Sequence, residues 1–170
     1  TILRRVPYDR VNTTMAKFAM CDKCAAEYTD PENRRFHAQP TACADCGPRL
    51  IWLEGGVEVA GDATELFQAS IKAGRIVAVR GLGGYHLVCD AANEAAVTRM
   101  RALKRRYAKP FAIMVKDITE AQRLCYVNEA ERELLLSPRK PILLLRKRAD
   151  AQVASSVAPE NTRLGVMLPY

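Results

Sequence analysis

Long apolar runs are missing from this sequence. The longest candidate, Ile142 to Leu145, is closed by Pro141 and Arg146, far short of the roughly 18 residues that a membrane-spanning helix needs, so a membrane protein is not expected. The N-terminus lacks the basic, apolar and small-residue progression of a secretory leader. It opens on Thr1 in what reads as an ongoing pattern, as expected of a segment excised from a longer chain. Aromatic residues are also scarce, at 6% with one Trp. Only Phe36 and Trp52 offer stacking faces near the basic residues of the first third, which ranks nucleic-acid binding there as a second choice.

What is present supports a folded protein. A hydrophobic content of 49% over 170 residues is enough for a real core. The net charge of +7 favours an anionic partner, whether nucleic acid, nucleotide phosphates or a phosphorylated small molecule. Charge alone does not choose among them. Six cysteines would suit a secreted disulfide framework, but four of them form two close pairs while Cys89 and Cys125 stand isolated among apolar neighbours. That distribution points to metal and to a reducing, cytoplasmic compartment.

The pairs are Cys21-x₂-Cys24 and Cys43-x₂-Cys46, separated by 18 residues. A Cys-x₂-Cys turn places two thiolates on one side, and two such turns complete the tetrahedral shell that Zn²⁺ prefers. Gly47 allows a tight knuckle after the last ligand, and Lys23, Arg34, Arg35 and Arg49 supply positive neighbours for the thiolates. The competing readings, two disulfides or four ordinary core thiols, explain the paired spacing less well. A shell filled by four cysteines leaves no open position, so the zinc is expected to be structural. His37 is either a substitute ligand or, with four cysteines already present, a side chain hydrogen-bonded within the loop, and the second reading is preferred.

Residues 1–54 have little periodicity, whereas 55–170 alternate helical and strand-like stretches, so a boundary is placed near Glu54-Gly55-Gly56. In the second module Asp62 with Glu65 opens a helix that Gly74 closes. Ile76 to Val79 reads as a buried strand entering Gly81-Leu82-Gly83-Gly84. Helices are expected from Asn93 to about Arg106 and from two further starts, Thr119 with Gln122 and Asn128 with Glu131. Strands are expected at Phe111 to Val115, Ile142 to Leu145 and Leu164 to Leu168. The pattern predicts an α/β domain whose sheet is mixed or parallel, unfinished at its C-terminal side.

The loop Gly81-Leu82-Gly83-Gly84-Tyr85-His86 lacks both the Gly-Lys-Ser/Thr ending of a phosphate loop and dinucleotide-binding glycine spacing. Close backbone approach to a ligand and an ordinary tight turn account for it equally. His86 is likewise either a ligand-facing donor or a satisfied loop histidine. Six basic residues lie between 99 and 109. Arg99, Arg101 and Arg105 read as a solvated helix face. Lys104, Arg106 and Lys109 fall where the helix ends and the chain turns toward a strand, a place suited to a triphosphate or a carboxylate.

Pro7 to Arg10, Thr13 to Met15, Cys21 to Cys24, Arg34 to Pro40, Cys43 to Arg49, Gly81 to Asp90, Lys104-x-Arg106-x₂-Lys109-Pro110-Phe111-Ala112 and Leu164 to Tyr170 together resemble the HypF family of hydrogenase-maturation carbamoyltransferases. The resemblance covers nearly the whole chain. It implies the second four-cysteine finger of the family followed by the first part of its YrdC-like α/β (α+β) domain with a mixed twisted sheet. In that family carbamoyl phosphate is hydrolysed in an acylphosphatase-like domain, and the carbamate is adenylated with ATP and Mg²⁺ in the YrdC-like domain. A Kae1-like domain then passes the carbamoyl group to a C-terminal cysteine of HypE, where it becomes a cyanide ligand of nickel-iron hydrogenase.

The resemblance matches Lys104, Arg106 and Lys109 to the basic motif that handles the nucleotide phosphates and the small carboxylate, with Lys104 and Arg106 as the catalytic candidates. Gly83, Gly84 and His86 join them as candidate nucleotide- or substrate-binding residues from the reading of the loop. Tyr107 stands where the family often has Pro, and the Ser-Ala-Asn-type motif expected later in the domain is not reached by Tyr170. The rival enzyme reading is a threonylcarbamoyl-adenylate synthase of tRNA modification. Such proteins resemble the second module but usually have threonines before the loop tyrosine, where this chain has Gly83-Gly84, and they carry no such finger. A third reading is a zinc-ribbon or YrdC-type RNA-binding module, which predicts steeply salt-sensitive binding.

Overall fold

A computed structural model of the chain describes residues 1–81 and 84–170. It divides into two compact units, Thr1–Ala63 and Thr64–Tyr170.

The first unit is built mostly from turns. After short 3₁₀ turns at Arg10–Asn12 and Thr14–Lys17 comes one helix, α1 (Asp22–Thr29), and then a hairpin of β1 (Trp52–Glu54) and β2 (Val57–Val59). Gly55 and Gly56 form the two-residue hairpin turn, at φ +58° and +86°, the left-handed pair that such a turn demands. The residues at the expected module boundary thus belong to a hairpin, and the compact units part at Ala63 and Thr64.

The second unit begins with α2 (Ala63–Lys72), whose first residue lies at the boundary and which Gly74 ends at φ +73°. Next come β3 (Val77–Arg80) and β4 (Tyr85–Val88), an antiparallel pair with Val79 opposite His86 and Arg80 opposite Tyr85. Beyond this pair the Gly81 N–H donates to the Gly84 carbonyl at 2.7 Å.

Helix α3 (Glu94–Lys104) starts at Asn93, whose side chain accepts from the Ala96 N–H, and ends at Arg105 in the left-handed region. After β5 (Ala112–Met114) come α4 (Ile118–Leu124) and α5 (Glu129–Leu136), then β6 (Leu143–Arg146) and β7 (Arg163–Met167). The cap of α4 is Asp117, which accepts from the Glu120 N–H, and not the expected Thr119; an ionised carboxylate is the stronger acceptor for exposed helix N–H groups. Asn128 and Glu131 form the expected reciprocal capping box on α5.

Strand β7 lies between β5, to which it is parallel, and β6, to which it is antiparallel, so the sheet is mixed as expected. Its Leu164 and Val166 join Ile113, Leu145, Leu135 and Val97 in the buried core under α3, α4 and α5. Cys125 belongs to that core, where burial pushes its thiol up to about 11, which removes it from thiolate chemistry. Among the described residues no helix is long and apolar enough to cross a membrane.

Candidate metal centre and basic loop

The four cysteines meet. Cys21 caps α1 from the extended conformation, and Cys24 enters the first turn of the helix and is fully buried. Cys43 and Cys46 come from a turn in which the Gly47 N–H donates to the Cys43 carbonyl at 2.8 Å. A Cβ at Gly47 would lie 2.7 Å from that carbonyl oxygen and 2.9 Å from the Ala42 Cβ, so only glycine fits the knuckle. The four Sγ atoms lie within 4.8 Å of one another, and none is in a disulfide.

The cluster matches zinc in shape and in charge. Cys43 Sγ is 3.7 Å from both Cys21 Sγ and Cys46 Sγ, and a tetrahedron with Zn–S bonds of about 2.3 Å has edges of about 3.8 Å. Burial, followed by hydrogen bonding among the thiols, pushes Cys24 up to about 12, while backbone hydrogen bonds from Cys21 and Cys43 hold Cys46 near 6. Four thiolates this close need a cation at their centre, and Cys21, Cys24, Cys43 and Cys46 would hold it with no position left for a substrate. Arg35 faces the same region, paired with Glu27 and also drawn to Cys24 and Cys43.

Arg10, a residue whose role the sequence left open, joins the two chain segments that deliver the cysteines. It is 8% exposed. Its guanidinium donates to the carbonyls of Phe18 at 2.7 Å, Gln39 at 2.8 Å and Thr41 at 2.7 Å, and its backbone N–H donates to Asp9 Oδ1. Phe18 leads into Cys21 and Thr41 into Cys43. His37 stands outside the cluster: at φ +49° its ring packs on Tyr28 and, edge-on, on Phe36, and among the described residues it makes these ring contacts in place of the side-chain hydrogen bond expected of it.

The second candidate site is the turn after α3. Arg106 donates through Nε to the Lys109 carbonyl at 3.0 Å and through a terminal nitrogen to the Pro110 carbonyl at 2.6 Å, and its guanidinium lies 5.2 Å from the centre of the Phe111 ring. Lys104 and Lys109 are exposed. Neither has an ion pair or side-chain hydrogen bond among the described residues. His86 is exposed on β4, its imidazole within 2.9 Å of where a Gly81 Cβ would stand, while a Cβ on Gly84 would meet open space. Gly83 lies outside the described residues. No hydrogen bond or ring contact joins His86 to Lys104, Arg106 or Lys109 among the described residues.

Of the three arginines expected on a solvated helix face, Arg99 and Arg105 are exposed and Arg101 is not. Arg99 donates to the Gly74 carbonyl at the end of α2. Arg101 is 7% exposed, and burial, followed by the charge of Arg106, lowers its pKa from the ordinary arginine value. The signal for it was in the sequence: Arg101 follows Val97 by four residues and so continues the buried stripe of α3.

Comparison with known proteins assigns both units. The family model described as "HypF finger" matches residues 20–53, and the Sua5/YciO/YrdC model, described as "Telomere recombination", matches residues 69–170. The chain is 54% identical to "Carbamoyltransferase HypF" of Rhodobacter capsulatus over 171 residues, covering 100% of this chain and 23% of that protein. Among solved structures it superimposes on "Crystal structure of T.kodakarensis HypF" with a TM-score of 0.90 at 47% identity, covering 100% of this chain and 22% of that one. It also superimposes on "Crystal structure of full-length HypF in the phosphate- and nucleotide-bound form" with a TM-score of 0.87 at 46% identity, covering 99% of this chain and 22% of that one. The chain thus spans about a quarter of the length of the proteins it matches.

Proposed function

The chain belongs to the Sua5/YciO/YrdC family, preceded here by a HypF finger, and from that premise we propose that it is the finger and adenylation segment of a hydrogenase-maturation carbamoyltransferase. The observation that carries this reading is the turn after α3, where Lys104, Arg106 and Lys109 follow closely along the chain without an acidic partner among the described residues.

The substrates are ATP, delivered with Mg²⁺, and carbamate derived from carbamoyl phosphate. A carbamate oxygen attacks the α-phosphorus, the bond from that phosphorus to the bridging oxygen breaks, and pyrophosphate leaves with the electron pair. The product is a carbamoyl adenylate. No covalent protein nucleophile is required, and fixed cations stabilise the charge that builds on the departing phosphates. Lys104 and Lys109, as flexible point charges, suit the phosphates. Arg106 is held by two loop carbonyls and presents its remaining edge as a fixed donor. Gly84, open to close approach, and exposed His86 are assigned to substrate binding with Gly83. The carbamoyl acceptor of the whole enzyme is HypE, and six cysteines free of disulfides suit a cytoplasmic location.

Calorimetric titration of the chain with Mg-ATP, alongside metal analysis, tests this reading. The expected result is one zinc per chain and ATP binding that falls at least tenfold in Lys104→Ala/Arg106→Ala. Zinc without ATP binding by the unaltered chain would overturn the adenylation role. The chain by itself is expected not to transfer a carbamoyl group to HypE.

A further inference from the structure

After the α3 cap, where the Arg106 N–H donates to the Arg101 carbonyl at 3.0 Å, residues 107–110 of the basic loop make no backbone–backbone hydrogen bond among the described residues. Two arginine side chains bond the loop's carbonyls, Arg106 from within the loop, to those of Lys109 and Pro110, and Arg101 from α3. Arg101 donates through one terminal nitrogen to the carbonyls of Arg106 at 2.6 Å, Tyr107 at 3.3 Å and Lys109 at 3.3 Å. Through Nε and the other terminal nitrogen it reaches the carbonyls of Ser156 and Val157. Its guanidinium lies 4.7 Å from the centre of the Phe111 ring, and Arg106 stands 5.2 Å from the same ring.

Every one of these acceptors is a neutral carbonyl, so Arg101 organises the loop without neutralising its charge. A carboxylate in the same place would cancel part of the positive field that an anion needs. Glu94 is the acidic residue whose charge acts on Arg101, and its carboxylate is committed at the other end of the 155–157 turn, accepting from the Ser155 hydroxyl at 3.1 Å and the Ser156 N–H at 3.2 Å.

We propose that Arg101 is a positioning residue for the anion-binding loop: a buried guanidinium that fixes the carbonyl path of residues 106–109, and with it the directions in which Arg106 and Lys109 present their charge beside Lys104 at the end of α3. Lysine cannot substitute, because an ammonium on a flexible stem lacks the planar fork that spans the loop and the 155–157 turn together. The inference rests on the adenylation reading, since it concerns what that loop binds.

The test is Mg-ATP calorimetry on the unaltered chain, Arg101→Lys, Lys104→Ala and Glu94→Ala, each with a thermal melt. Glu94→Ala loosens the same 155–157 turn without touching the loop, so it reports what a purely structural loss does. The expected result is a fall in affinity of about tenfold or more for Arg101→Lys and for Lys104→Ala, with affinity kept in Glu94→Ala even where its melting temperature drops as far as that of Arg101→Lys. Full affinity in Arg101→Lys beside lost affinity in Lys104→Ala would overturn the positioning role alone. An equal affinity loss in Glu94→Ala and Arg101→Lys would also overturn it, reducing Arg101 to support for the turn. If Arg101→Lys does not fold, Phe111→Leu, which removes the ring that both guanidiniums flank, is expected to weaken ATP binding, and unchanged affinity there would count against the proposal. No ATP binding by the unaltered chain would overturn the adenylation reading and this inference together.

Discussion

At the scale of single residues, the finger depends on a glycine as much as on its cysteines. A methyl group at Gly47 meets the Cys43 carbonyl oxygen at 2.7 Å, and that oxygen belongs to the ligand turn itself. Gly47→Ala is expected to cost about 1–3 kcal/mol, the usual range for overpacking, read as roughly a tenfold or greater loss of zinc affinity against a chromophoric chelator. The thiols make a second prediction. Cys24 is pushed up to about 12 in the folded arrangement, and the thiol of an unfolded finger is protonated at neutral pH as well, so the metal-free chain holds the Cys24 proton in either state. Metal binding must therefore expel at least the Cys24 proton, and zinc affinity must fall as the solution is acidified. Calorimetry in buffers of different ionisation enthalpy measures this directly: a binding enthalpy independent of buffer would contradict it.

At the scale of elements, the short helices are specified at their first turns. Helix α5 is 8 residues long, too short to persist on propensity alone, and the Asn128 and Glu131 box satisfies two otherwise orphaned N–H groups. Asn128→Ala is expected to destabilise the chain by about 0.5–2 kcal/mol. Thr119→Ala, at the residue that the sequence pattern favoured as the start of α4, is expected to stay within about 0.5 kcal/mol, because Asp117 is the cap. Urea unfolding of the two variants separates the cases. The contrast also shows why Thr119 misled: threonine with glutamine three residues on fits a capping pattern, but an aspartate two residues earlier offers the better acceptor.

At the scale of the whole molecule, the two units are held by different physics. In Thr1–Ala63 the buried hydrophobic residues are Met15 and Cys24, whereas Thr64–Tyr170 has a continuous cluster around its mixed sheet. A unit with so little apolar burial relies on its metal. Chelation is expected to unfold the first unit while leaving the second in place. Trp52, the single tryptophan of the chain, sits in β1 of the first unit and reports the change by fluorescence. Unaltered Trp52 emission after complete zinc removal would show that turns and Arg10 suffice without the metal.

The sequence by itself determined the chemistry that depends on spacing: four thiols in two close pairs, helix starts marked by capping residues, alternating strands, and three cations at one helix end. These are local properties, read within a few residues of one another. Only the tertiary structure decided what Arg10 and Arg101 do, because their acceptors are backbone carbonyls, which every residue carries and no side-chain pattern announces. The partners of Arg10 are as much as 31 residues away and those of Arg101 as much as 56. The spacing of Arg101 after Val97 marks it for the buried face of α3, but which five backbone carbonyls it reaches is decided only once the chain has folded around it.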